Sequence, residues 1–175
     1  MSRTANLLGA AAQGLSDHIR ADLSGAAQLS DSAAATLIVL SDSSGIGASE
    51  LGRRLGITQS AAVRMIEGLE RDGLLQRGPR AGKNVAITLT GQGQDVARDL
   101  LEARERSLGT VLESLTAEDQ EQLEALLVKL LRRLHRHPGD GDRLCRLCDR
   151  HACIDGGAIC PVGQAERDCQ ADTDG

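Results

Sequence analysis

Not one of the 175 residues is Phe, Tyr or Trp, so any core this chain builds must be made of Leu, Ile, Val and Ala. The same absence weighs against single-strand nucleic-acid binding on aromatic platforms, where bases stack on ring faces. The net charge of −5 gives no global signature of nucleic-acid binding, which leaves only local clustering to supply one. No apolar run approaches the roughly 20 residues of a membrane helix. The start, MSRTANLLGAAAQGLSDHIR, lacks the sustained apolar core of a signal peptide. The expectation is a cytoplasmic protein with no membrane partner.

Hydrophobic periodicity organises the first 137 residues. Leu8, Ala12, Leu15, Ile19 and Leu23 make one stripe on a helix over 4–24. Ser30 and Asp31 offer caps for a second helix with Ala34, Leu37, Ile38 and Leu40, ended by the turn chemistry of Ser41 to Gly47. A short helix over 48–55 closes at Gly56. Thr58 caps the next, about 59–72, which Gly73 stops. On that helix Ala62, Ile66 and Leu69 form the buried stripe, and Gln59, Ser60, Val63 and Arg64 lie on the other side.

The period then changes. Leu74 to Arg77 and Val85 to Leu89 have strand character and are joined by the loop GPRAGKN, residues 78–84. Thr90 caps a long helix carrying Val96, Leu100, Leu101, Leu108, Val111 and Leu112, and Thr116 to Asp119 fits a capping box for another. On that last helix Leu123, Leu126, Leu127, Leu130, Leu131 and Leu134 fill more of the circumference than one neighbouring helix can cover, which predicts burial by a second chain. The fold class expected is mainly α with a small β-hairpin wing: a winged helix-turn-helix, with long terminal helices forming a dimerisation region.

Charge is concentrated where that motif falls. Residues 51–83 carry Arg53, Arg54, Arg64, Arg71, Arg77, Arg80 and Lys83 against Glu67, Glu70 and Asp72. A cationic island on an acidic chain, coinciding with a recognition helix and hairpin, reads as a footprint for double-stranded DNA. The candidate contacts are Thr58, Gln59, Ser60, Val63, Arg64, Arg77, Arg80 and Lys83. No Ser/His/Asp set, phosphate loop or dinucleotide fingerprint suggests an enzyme, and His18, His135 and His137 read as helix-surface residues.

All five cysteines fall after residue 144, at 145, 148, 153, 160 and 169. Cys145, Cys148, Cys153 and Cys160 offer four thiolates in the spacing C-x2-C-x4-C-x6-C, followed by Pro161. Four soft ligands suit zinc. Iron–sulfur clusters also take four cysteines, the last followed by proline in bacterial ferredoxins, though with tighter spacings. Reversible thiol oxidation and a tail with no cofactor are the other readings, and Cys169 stands outside the spacing. The flanking Gly-Asp-Gly-Asp and Ala-Asp-Thr-Asp-Gly read as disordered.

The segment SELGRRLGITQSAAVRMIEGLERDGLL, residues 49–75, resembles the DNA-binding segment of MarR-type transcriptional regulators, and LTGQG at 89–93 resembles that family's join between wing and dimer helix. The likeness extends over about residues 5–136. It implies a homodimer of intertwined terminal helices with a winged helix on each side, acting as a repressor at a pseudo-palindromic operator. A small-molecule inducer is a further expected partner. Gln59, Ser60, Val63 and Arg64 fall where the family faces the major groove. Arg64 suits a bidentate contact with guanine, or a phosphate, and Val63 a thymine methyl. Arg80 and Lys83 fall at the wing tip, which in the family meets the minor groove or its phosphates; GPRAGKN lacks the acidic residue that often pairs with a tip arginine there. The chain thus divides into an N-terminal dimerisation helix (1–30), a winged helix-turn-helix (31–90), C-terminal dimerisation helices (91–137) and a Cys-rich tail (138–175) that holds a metal or senses redox state. A different class of function would be a metal- or redox-handling protein whose winged helix binds another protein.

Overall fold

The computed structural model describes residues 2–43, 45–81 and 84–173. In chain order these form α1 (Arg3–Ala27), α2 (Asp31–Asp42), α3 (Ala48–Leu55), α4 (Gln59–Arg71), β1 (Leu75–Ala81), β2 (Asn84–Leu89), α5 (Gly91–Leu112), α6 (Ala117–Leu134), α7 (Asp140–Leu144), α8 (Arg150–Ile154), a 3-10 turn at Asp155–Gly157, and α9 (Pro161–Thr173). Helices with a two-stranded antiparallel hairpin between α4 and α5 make a mainly α winged helix-turn-helix.

Local chemistry sets most boundaries. The Ser30, Thr58, Thr90 and Thr116 hydroxyls each accept a backbone amide at the start of α2, α4, α5 and α6, so orphan N–H groups of the first turns are satisfied. At Thr116 the cap is reciprocal, because the Asp119 carboxylate accepts the Thr116 amide. Gly56 and Gly73 follow α3 and α4 with φ of +68° and +74°, the left-handed conformation that lets a helix end sharply.

The core sits around α2, which is buried from Ala33 to Ile38 and again at Leu40. Ala33, Ala35 and Thr36 join the expected Ala34, Leu37, Ile38 and Leu40 because small side chains let α1, α3, α5 and the hairpin approach from several sides. The same rule changes the face of α5. Its buried stripe is Gly93, Ala97, Leu100, Ala103 and Ser107, whereas Val111 and Leu112 are exposed. With no aromatic ring available, close approach of small-residue faces, rather than ring volume, fills the interior.

The stripe expected on α1 is largely unburied. Leu23 is in the core and Ile19 packs against it, but Leu7 and Leu8 are exposed. On α6 no residue is buried, and Leu126, Leu127, Leu130 and Leu134 stand exposed. These apolar faces lie on the two helices expected to meet a second chain.

Three local expectations are corrected. The strands continue into the segment read as a loop: β1 runs to Ala81 and β2 starts at Asn84, with the register slipping between Arg77 and Arg80. A bulge there accommodates Pro79, which has no N–H to give to the ladder. The turn after α2 contributes a bridge, Ile46 to Ile87, in which the Ile87 amide donates to the Ile46 carbonyl at 3.0 Å. The last two residues of the Ala-Asp-Thr-Asp-Gly flank lie outside the described residues; where they are described, the flanks of the cysteine tail are helical, in α7 and in α9 as far as Thr173. Their hold on the body is long-range, which local periodicity does not register.

Candidate nucleic-acid interface and cysteine cleft

α4 is held on the body by Ala62, Ile66 and Leu69, all buried. That phase leaves Gln59, Ser60 and Arg64 exposed and Val63 half-buried on the opposite face, where they were expected. Thr58 is already engaged: its hydroxyl accepts the Ala61 amide at 3.2 Å and lies 3.2 Å from the Ser60 hydroxyl. The crossing of α3 over α4 is tight at Gly52, where an added β-carbon would stand 3.2 Å from the Ile57 carbonyl oxygen. Gln59, Val63 and Arg77 line one small cleft of about 170 Å³ with Ser49 and Val85, so helix and hairpin present a continuous surface.

The hairpin is fixed to α5 through Thr90. Its hydroxyl donates to the Gly73 carbonyl at 2.6 Å and accepts the Gly93 amide, and its own amide donates to Leu74. Gly93 is required there, because a β-carbon would collide with the Leu74 carbonyl oxygen. Of the candidates on the hairpin, Lys83 lies outside the described residues and only the strand backbone is described for Arg80.

The cationic island is divided rather than continuous. Arg77 is ion-paired to Glu70 of α4 at 3.0 Å. Arg53 and Arg54 turn away from the α4 face: both meet Glu50, at 2.7 and 2.8 Å, and both meet Asp142 of α7, at 2.8 and 3.8 Å. Hydrogen bonds from Arg53 and then Arg54 hold the Glu50 carboxyl down at about 2, and the bond to Glu50 pushes the Arg53 guanidinium further up. Counting charge by sequence window therefore overstated the footprint, because Glu50 and Asp142 lie outside the 51–83 window. Arg64 and Arg71 remain exposed on α4.

α7 is seated on α3 at close range. The Arg143 side chain crosses Gly56, and the Arg53 guanidinium approaches Gly139, whose φ is +91°. Leu147 packs against the main core. Behind this contact His135, read from sequence as a surface residue, is buried at the end of α6, and its Nε2 lies 2.6 Å from Glu166 of α9. The Gly139 amide donates to both Glu166 oxygens at 2.9 and 3.0 Å. Burial pushes the Glu166 carboxyl up, but the bonds from His135, Gly139 and Gly141 outweigh it and leave it lowered. An ionised carboxylate only accepts, so Nε2 carries the proton in this bond.

Between α2, α3 and the tail helices lies a cleft of about 740 Å³, and Cys145, Cys148, Cys153 and Cys160 all line it. Cys145 donates to Cys148, which drives the Cys148 thiol down to about 6 and Cys145 strongly up; Arg104 and Arg146 add to the lowering at Cys148, against its burial. Burial is the main cause raising Cys153. Cys160 precedes α9, and its sulfur accepts the Gly163 amide at 3.4 Å. His151 is exposed on α8 and stands apart from the cleft wall. Among the described residues no three His, Cys, Asp or Glu side chains are gathered so that they could hold a single metal ion. No single helix is long and apolar enough to cross a membrane.

The geometry has clear relatives. Residues 27–83 match the MarR family. No curated protein matches the sequence. Among solved structures the fold is similar to the Mycobacterium tuberculosis MarR family protein Rv2887, at 27% identity over 74% of this chain and 94% of that one, with a TM-score of 0.59. It is similar also to MepR, a transcription regulator of the Staphylococcus aureus multidrug efflux pump MepA, at 20% identity over 77% and 100% of the two chains, TM-score 0.67. Wild-type MarR from E. coli matches at 22% identity over 75% and 98%, TM-score 0.62. In each case nearly the whole relative is covered while about a quarter of this chain has no counterpart. With the match at 27–83 and the helical frame around it, the chain is similar to MarR-family winged-helix proteins.

Proposed function

We propose that the chain is a homodimeric transcription regulator, a repressor that binds a pseudo-palindromic double-stranded operator through α4 and the β1–β2 hairpin. The family is one of transcription regulators and not of enzymes. The observation that carries the reading is the outer face of α4, where Gln59, Ser60 and Arg64 are exposed beside the hairpin while the opposite face is locked into the core. Polar side chains on a rigid, exposed helix are what base edges in a major groove require. The dimer is supported by the exposed leucines of α6, which a second copy covers.

Regulation enters by two routes. Rv2887 has been solved in complex with salicylic acid, and a small aromatic acid is proposed as an inducer here too. The second route is the tail, which grips α3 through Asp142 and so bears on the helix-turn-helix itself. The full chain is expected to sediment as a dimer and to bind cognate duplex with affinity that falls steeply with salt. Leu127→Glu together with Leu131→Glu is expected to yield a monomer or an unfolded chain with no operator binding, because it places charge in an apolar seam. A wild-type monomer at micromolar concentration, or binding to duplex no tighter than to random sequence, overturns the reading.

A further inference from the structure

We propose that Cys145 and Cys148 form a redox-active dithiol that a hydroperoxide oxidises to an intrachain disulfide, with Cys148 as the attacking sulfur and Cys145 as the resolving one. The backbone sets up the pair. Cys145 caps the end of α7, and the Cys148 amide donates to the Cys145 carbonyl at 2.9 Å, closing a four-residue turn. Such a turn keeps its first and fourth α-carbons within about 7 Å, and a disulfide spans about 4.4–6.8 Å. The side chains follow, because the Cys145 thiol donates to the Cys148 sulfur. Both are half-buried thiols on the wall of the cleft, within reach of a small oxidant.

The surroundings divide the labour between the two sulfurs. The hydrogen bond from Cys145, with the Arg104 and Arg146 guanidinium groups in support, draws the Cys148 thiol down to about 6 against its burial. Cys148 is therefore largely thiolate at neutral pH, and the thiolate is the form that attacks a peroxide. Cys153, which lines the same cleft, is pushed up by burial and by its cysteine neighbours, so it is the poorer nucleophile. Cys145 is held protonated while Cys148 beside it is charged. Oxidation of Cys148 removes that charge and frees Cys145 to ionise.

Both steps balance. The Cys148 thiolate attacks the terminal peroxide oxygen. The O–O bond breaks as an S–O bond forms, and the departing oxyanion takes a proton from solvent to leave as an alcohol, or as water from hydrogen peroxide. Sulfur is oxidised to a sulfenic acid, and the peroxide is reduced by two electrons. The Cys145 sulfur then attacks the sulfenic sulfur: the S–S bond forms, the S–O bond breaks, and hydroxide departs as water with the Cys145 proton. An S–S bond of about 2.05 Å is shorter than the hydrogen bond it replaces, so the turn at the end of α7 tightens. Earlier on α7, Asp142 meets Arg53 and Arg54 of α3, and the helix-turn-helix is expected to feel the change. That last step rests on the DNA-binding reading above; the disulfide itself does not.

The test treats the reduced full chain with stoichiometric hydrogen peroxide or an organic hydroperoxide, follows the loss of thiols, and maps the product by mass spectrometry. Trypsin cuts after Arg143, Arg146 and Arg150, so the disulfide joins peptide 144–146 to peptide 147–150. That linked pair is expected as the main product, within one chain on a non-reducing gel and reversed by a dithiol reductant. Cys148→Ser is expected to slow the loss of thiols at least tenfold. Cys145→Ser is expected to leave a sulfenic acid at Cys148 that dimedone traps, and Cys169→Ser to change neither result. Far-ultraviolet circular dichroism verifies that the variants keep their helices, and any that do not are replaced by the corresponding alanine change. The wild-type chain unfolded in guanidinium is expected to oxidise at least tenfold more slowly. Linkage chiefly through Cys153 or Cys160, no dimedone adduct at Cys148, or a rate that unfolding leaves unchanged overturns the proposal. So does a metal ion carried on isolation that keeps the thiols from peroxide. Operator affinity is then compared between oxidised and reduced chains. A threefold or larger difference that is absent in Cys145→Ser supports the coupling, and equal affinities overturn the coupling alone. Failure of the reduced chain to bind any duplex counts against the DNA reading and leaves the disulfide measurement intact.

Discussion

Arg64 on α4 and the pair Arg53–Arg54 on α3 lie within one helix-turn-helix, yet they face different things. Arg64 is exposed on the outer face of its helix. Arg53 and Arg54 are folded back onto Glu50 and onto Asp142, a residue of the tail. The motif therefore has two faces, one turned outward and one turned to the rest of the chain. Total charge describes neither. What separates them is helix phase, together with carboxylates far away in sequence.

The sharpest way to separate the two faces is to remove the tail's anchor. Glu166→Leu leaves the buried His135 ring and the Gly139 amide without their acceptor, a loss of about 1–3 kcal/mol per unsatisfied group. The tail helices are expected to become sensitive to limited proteolysis while 1–137 stays resistant. Equal digestion of both parts would show that the two do not separate.

Arg64→Ala acts on the other face. It is expected to weaken operator binding by about 1–3 kcal/mol and to relax sequence preference, with the tail's protease resistance unchanged. Equal loss on cognate and random duplex would assign Arg64 to phosphate alone.

A smaller effect is expected at the joint. Asp142→Asn removes the carboxylate that Arg53 and Arg54 share, with side chains a quarter to a half exposed, so the cost in thermal stability is about 1 kcal/mol or less. Measured against Arg64→Ala in a double-mutant cycle on DNA affinity, additivity indicates independent faces and non-additivity indicates that the tail contact is transmitted.

The smallest effect is on acid stability. The Glu50 carboxyl is lowered from an ordinary 4.5 to about 2 when folded. Its contribution is thus fully present above about 4.5 and is lost as pH falls from there toward 2. Because the side chain is 37% exposed, its share is well under what the shift alone implies. Glu50→Gln is expected to flatten the dependence of Tm on pH across that interval, and an unchanged slope would mean that the ion pairs with Arg53 and Arg54 contribute nothing in solution.

Much of the body was legible because its signals are local. A capping hydroxyl, a glycine after a helix and a stripe at helical spacing each act within a few residues, and Ser30, Thr58, Thr90, Thr116, Gly56 and the α4 stripe were found as read. The orientation of Gln59, Ser60 and Arg64 followed from that stripe. The tail was not legible. α7 and α8 have five residues each, too few to stand alone, and they hold through contacts such as Arg53 to Asp142 and His135 to Glu166 that connect distant parts of the chain. His135 looked like a surface residue because nothing adjacent in sequence announces a carboxylate 31 positions on. The ion pair of Arg77 with Glu70 went unread for a similar reason, since the two sit on opposite sides of a turn. On α1 and α6 much of the apolar pattern, Leu8, Leu126, Leu127, Leu130 and Leu134 included, stays exposed within one chain.

The ring-free interior also makes this molecule optically quiet. Lacking indole and phenol side chains, the polypeptide contributes almost no absorbance near 280 nm and no intrinsic tryptophan emission. Any near-ultraviolet or visible band in the purified chain comes from what occupies it or from chemistry at its sulfurs. A single tryptophan introduced at an exposed site of α4 would be the only indole in this sequence, able to report binding at that face against a dark background.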